Sequence, residues 1–145
     1  MAIVQSNEQL VHKLYDLLNA GALDRLGEVI APDFVAADGS RGPALFAKVM
    51  AGLRAGFPDI HYTVDEVVAD ATRAAVRWTW RGTNSAAFRD FPASGKRIAN
   101  SGMAIFEIAG GKITAGTTET DRLGFLIGIG VIPYNPAYGP PPKTE

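Results

Sequence analysis

The chain has 145 residues, with 14 basic against 15 acidic, so its formal charge is -1 and no field of one sign exists to gather nucleic acid or an anionic membrane. It has no cysteine, which excludes disulfides, thiolate catalysis and sulfur-bound zinc, and its two histidines are too few for most imidazole metal centres. Hydrophobic residues make up 47%, enough for a single domain with a core that buries about two-thirds of the unfolded surface.

The opening MAIVQSNEQL lacks a basic segment followed by a long apolar stretch, so no leader is expected and the chain is placed in the cytoplasm. Ser6 and Gln9 have capping-box spacing. Behind them Leu10, Val11, Leu14, Leu17 and Leu18 recur at helical intervals, and Gly21 can end that helix in the left-handed region. A shorter helix carries Leu23, Leu26, Val29 and Ile30 before Pro32 stops it, and Phe34 with Val35 reads as a short strand. Gly42 and Pro43 open a third helix bearing Leu45, Phe46, Val49, Met50 and Leu53.

After Pro58 the pattern changes to strands. Residues 60–69 are rich in β-branched and aromatic types, and Asp70 to Thr72 form a turn. Residues 73–82 alternate: Ala75, Arg77, Thr79 and Arg81 against Ala74, Val76, Trp78 and Trp80. A loop at 83–95 precedes a strand at 96–109. Gly110 and Gly111 make a tight hairpin turn, and 112–120 form the return strand. Residues 122–130 are a last apolar helix. No run reaches the roughly 18 apolar residues of a membrane span. Residues 1–133 form the domain, and 134–145 a Pro-rich tail read as an extended arm or a disordered end. Helices first and a strand meander second give an α+β class, with a curved antiparallel sheet wrapped around the N-terminal helices. The open end of such a cone is a natural pocket for a small molecule.

The stretches FPDIHYTVDEVVAD, AAVRWTWRGTN, FPASGKRI, IFEIAGGKI and TDRLGFLIGIGVIP, in that order, resemble the SnoaL-like polyketide cyclases of the NTF2-like superfamily. The resemblance runs from about Leu10 to Pro133. It implies a cone-shaped α+β barrel, a pocket without a cofactor or metal, and often a homodimer. It also implies that Asp121, at the end of the last strand, is the general acid/base of an intramolecular aldol closure. Burial in an apolar cone would raise the pKa of such a carboxyl, so that it could both take and give a proton. Asp121 also stands directly before a helix, where it could cap free amides.

Period-two geometry puts Thr117 and Glu119 on the same strand face as Asp121, and two carboxyls on one wall would split into donor and acceptor. Tyr15 shares a helical stripe with Val11 and Leu18 and resembles the helix-borne phenol of ketosteroid isomerase. Trp78 and Trp80 would wall the pocket or fill the core, with Asn100, Ser101 and Met103 on the facing strand. Relatives often carry a polar pair after the first short strand, where this chain has Ala36 and Ala37, and no histidine follows His61. The reading is therefore a cofactor-independent cyclase, isomerase or dehydratase acting on a small polyketide-like or terpenoid-like carbonyl compound. The alternatives are epoxide opening by an Asp–Arg–Asp set, for which Arg77 lies on the wrong strand face, and a non-catalytic small-molecule carrier.

Overall fold

The computed structural model describes residues 6–36 and 38–142. Helix α1 spans Asn7–Ala20. Its capping box is complete: Ser6 Oγ accepts from the Gln9 amide at 3.1 Å and Gln9 Oε1 from the Ser6 amide at 2.9 Å. Gly21, at φ +68°, closes the other end. The face Leu10, Val11, Leu14, Tyr15, Leu17 and Leu18 is buried. The expected second helix tightens into a 3-10 turn, Leu23–Glu28, because six residues containing Gly27 are too few to sustain an α-helical ladder. The expected short strand at Phe34 and Val35 reduces to one bridge, Val35 to Arg41. Helix α2 spans Ala44–Gly56.

Four antiparallel strands follow in sequential order: β1 His61–Ala69, β2 Arg73–Thr83, β3 Arg97–Ala109 and β4 Lys112–Thr120. Asp70 Oδ1 accepts from the Thr72 and Arg73 amides and fixes the β1–β2 turn, and these bonds hold its carboxyl below the usual range. Gly110 and Gly111, both at positive φ, make the β3–β4 turn. The free edge of β4 is partly closed by residues 29–31, which exchange bonds with Ile113 in a parallel bridge. Helix α3, Arg122–Gly128, packs across one end of β3.

The strict alternation of β2 divides the sheet into two faces. Its concave face carries Ala74, Val76, Trp78 and Trp80 against the helices. The convex face carries Ala75, Arg77, Thr79 and Arg81. Arg77 meets Asp65 and Glu66 there at 3.7 Å, and a bulge at Asp65 lets its carboxylate accept from Thr79 Oγ1.

Gly102 faces Trp78 across β2 and β3. A Cβ at Gly102 would stand 2.5 Å from the Trp78 ring and 2.7 Å from the Glu119 carbonyl, and the backbone atom cannot swing aside. Gly102→Ala is expected to cost about 1–3 kcal/mol by overpacking. Urea unfolding of the two proteins checks it, and an unchanged midpoint would mean the tryptophan is not seated on the glycine.

Candidate active site

The concave side of the sheet is densely filled. Tyr15 packs on Tyr62 with ring centres 5.5 Å apart, and Tyr62 on Trp78 at 5.3 Å. A second cluster joins Phe57 to Trp80 at 5.0 Å, with Phe88 and Phe125 closing around it. The space on this side lined by Leu18, Met50, Leu53, Ile60 and Tyr62 measures about 10 Å³, room for one water at most. Tyr15, Trp78 and Trp80, expected to wall a pocket or fill the core, are thus buried among aromatic rings on this side. Burial pushes both the Tyr15 and Tyr62 phenols up, so each remains protonated and can only donate or accept as a phenol.

Asp121 lies at the hinge between β4 and α3. Its amide donates to the Ser101 carbonyl at 3.0 Å, continuing the β3–β4 ladder by one residue. Its carbonyl accepts from Asn100 Nδ2 at 2.8 Å, and Asn100 is buried on the concave side. Its carboxylate turns the other way. Oδ1 accepts from the Gly124 amide at 2.8 Å and caps α3. A Cβ at Gly124 would overlap Oδ2, so only glycine leaves the carboxylate room in this position.

That carboxylate borders a second, much larger pocket of about 350 Å³. Ala99 and Ser101 form its floor, Leu123 and Ile127 of α3 one side, and residues of the C-terminal arm the other. The arm is folded here, with a 3-10 turn at Pro136–Tyr138, and Tyr134, Tyr138 and Pro140 to Pro142 line the pocket. Asp121 and Ser101 bring a carboxylate and a hydroxyl to a wall that also carries the Tyr134 and Tyr138 phenols, and Asp121 is exposed rather than buried in an apolar cone as expected.

The family model for SnoaL-like polyketide cyclases matches residues 8–127. The chain belongs to that family. No curated protein matches it by sequence. Among solved structures it is similar to IdmH of Streptomyces antibioticus, a candidate polyketide cyclase, at 29% identity and TM-score 0.75 over 86% of this chain and 98% of that one. TsrD of Streptomyces laurentii shares 23% identity at TM-score 0.81, over 91% and 100%. AclR of Streptomyces galilaeus, a candidate hydroxylase, shares 22% at TM-score 0.79, over 90% and 85%. At such identities these last two establish the fold alone; with the family match they give an NTF2-like α+β class, here a curved four-stranded antiparallel sheet with helices.

Within this SnoaL-like frame the residues singled out by sequence separate into three places. Tyr15, Trp78, Trp80 and Asn100 are buried on the concave side. Thr117 and Glu119 are exposed on the convex face, where the register sets them opposite Ile105 and Met103. Asp121 shares their parity and borders the large pocket together with Ser101, while Met103 is 61% exposed outside its wall. Arg77 also points to the convex side, held by two acids, away from the tryptophans. Of the pair Ala36 and Ala37, the second lies outside the described residues. The arm tyrosines and prolines were missed because the tail has no periodic face. The Asn-Pro step at 135–136, which starts the 3-10 turn, is its one local signal.

Gly124→Ala offers a way to displace the carboxylate without removing it. We expect it to cost about 1 kcal/mol, the typical worth of a lost cap. Asp121→Ala should cost a similar amount, and the double variant no more than either alone, because all three lose one interaction. Additive losses in chemical denaturation would show that the two residues are not coupled.

Proposed function

We propose that this chain is a cofactor-independent acid/base enzyme of the cyclase, isomerase or dehydratase type, acting on a small carbonyl compound with Asp121 as its proton carrier. One observation carries the reading: the exposed Asp121 carboxylate borders a pocket of about 350 Å³ shared with Ser101, Leu123, Ile127 and the rings of the C-terminal arm. Carbon acids next to a carbonyl need a base within hydrogen-bond reach. Asp121 would take the proton from that carbon. In a ring closure the resulting enolate carbon attacks a second carbonyl carbon, and the new alkoxide recovers the proton from the same carboxyl. In an isomerisation the proton returns to a different carbon of the conjugated system. The Ser101 hydroxyl, on the pocket floor, is placed to donate to a substrate oxygen. Glu119 belongs to the same strand face as a second carboxylate outside the pocket wall. Membership of the SnoaL-like family supports a polyketide-like substrate, with a terpenoid-like one as the other class considered.

The carrier reading has one observation in its favour, since the same carboxylate already caps α3. A proton-exchange assay separates the two without the natural substrate. The acetyl protons of 2-acetyl-6-methoxynaphthalene exchange with deuterium oxide when a base removes them, and proton NMR follows the loss. We expect the wild type to accelerate exchange, and Asp121→Asn, which caps as well as aspartate but cannot take up and return a proton, to slow it by about a hundredfold to ten-thousandfold. Equal rates in the two proteins would sink the assignment. Binding in both with no exchange above buffer is the carrier's result.

We further propose a cytoplasmic homodimer formed through the convex face. Val68, Ala75 and Ile105 lie in one cross-strand row, with Val68 65% and Ile105 56% exposed, and Met103 stands beside them opposite Arg77. An exposed apolar strip rimmed by Arg77, Glu107 and Glu119 has the make-up of a subunit contact. Sedimentation should give twice the 15.4 kDa chain mass, and Ile105→Lys should return it to one chain. A wild type that sediments as a single chain at high concentration contradicts the interface.

A further inference from the structure

The C-terminal arm is tied by hydrogen bonds within itself. Asn135 Oδ1 accepts from the Ala137 amide at 2.9 Å, and the Tyr138 amide donates to the Asn135 carbonyl at 2.9 Å. Tyr134 Oη reaches across the turn to the Gly139 carbonyl at 2.7 Å and ties the loop shut. Gly139 then turns the chain at φ +107°, a backbone region that side-chain-bearing residues rarely adopt, into three consecutive prolines. A segment serving only to bury Ala99, Leu123 and Ile127 would collapse onto them. This one bridges the floor and leaves about 350 Å³ beneath it, with five of the wall residues contributed by the arm itself.

We propose that the arm is the specificity wall of the Asp121 pocket and selects ring-bearing carbonyl compounds over open-chain ones. The inference rests on the reading of that pocket as the substrate site. Its physical basis is shape and entropy. Proline rings and a tyrosine ring are flat and stiff, so a flat ligand meets them over its whole face without ordering either partner further. An open chain of equal area must freeze several bonds to make the same contact. Tyr134 Oη is committed as a donor to the arm's own closure, whereas Tyr138, half-exposed at 49%, has no hydrogen-bond partner among the described residues. Tyr138 is therefore the arm aromatic free to meet a ligand, and Tyr134 is the strut that holds it in place. Ser101 on the floor would hold the carbonyl oxygen.

The test titrates the full-length protein with 2-acetyl-6-methoxynaphthalene, read by its fluorescence, and with 2-decanone as an open-chain competitor bearing the same ketone. The wild type should favour the ring ketone by about tenfold. Tyr138→Ala should lose most of that preference, while Tyr138→Phe, which keeps the ring, should retain it. Tyr134→Phe, which cuts the strut, should weaken it without altering the thermal melt of the domain. A wild type with no preference, or an unchanged preference in Tyr138→Ala, overturns the proposal. Asp121→Asn in the same titration keeps the two readings apart. If the arm selects but Asp121 is not the base, this variant binds with full preference and its proton exchange matches the wild type. If Asp121 is the base but the arm does not select, exchange is lost in Asp121→Asn while Tyr138→Ala binds as the wild type does.

Discussion

Trp78 and Trp80 stand on one face of one strand, and the rest of the chain packs around them. Both rings lie on the concave side, where Tyr15, Tyr62, Phe57, Phe88 and Phe125 complete two aromatic clusters. Seating Trp78 requires Gly102 opposite it, since any side chain there would meet both the ring and the β4 backbone. Aromatic pairs of this kind gain by edge-to-face geometry as well as by burial. They also use up the volume that a curved sheet would otherwise offer to a ligand. Space for a small molecule is found instead at the rim, where β4 hands over to α3.

At that rim one residue joins both sides of the sheet. The Asp121 backbone is pinned from the concave side by Asn100 and along the ladder by Ser101, and its carboxylate is held toward the convex side by the Gly124 amide. Fixing a side chain through its own backbone leaves few orientations to it, which is what a positioned acid/base group requires. The cap and the proposed chemistry are compatible, because capping engages Oδ1 while Oδ2 remains without a partner among the described hydrogen bonds. The family resemblance singles out this carboxyl, and the catalytic role proposed for it rests on the pocket beside it.

Local chemistry made much of this fold legible in the sequence. The Ser6–Gln9 box, the left-handed Gly21, the Asp70 turn and the Gly110–Gly111 hairpin are each decided within a few residues, and each falls where short-range rules put it. The alternation of residues 73–82 likewise separated Arg77 from the tryptophans. Contacts between distant segments were not legible. Nothing near Val29 announces its pairing with Ile113, and nothing in the strand pattern marks the bulge at Asp65. The same limit applies to the site. Period two puts Thr117, Glu119 and Asp121 on one face, but only the register against β3 decides that this face is the convex one. The arm is the extreme case: its turn is local, its seat on Ala99 and Ser101 is not.

The central claim is that a ligand meets Asp121 beneath the arm rather than inside the aromatic cone, and amide chemical-shift mapping tests it directly. With 15N-labelled protein and 2-acetyl-6-methoxynaphthalene, the account predicts that shifts concentrate at Ser101, Leu123, Gly124, Ile127 and Tyr138. Shifts concentrated instead at Tyr15, Met50, Tyr62 and Trp78, with the Asp121 rim unmoved, would contradict it.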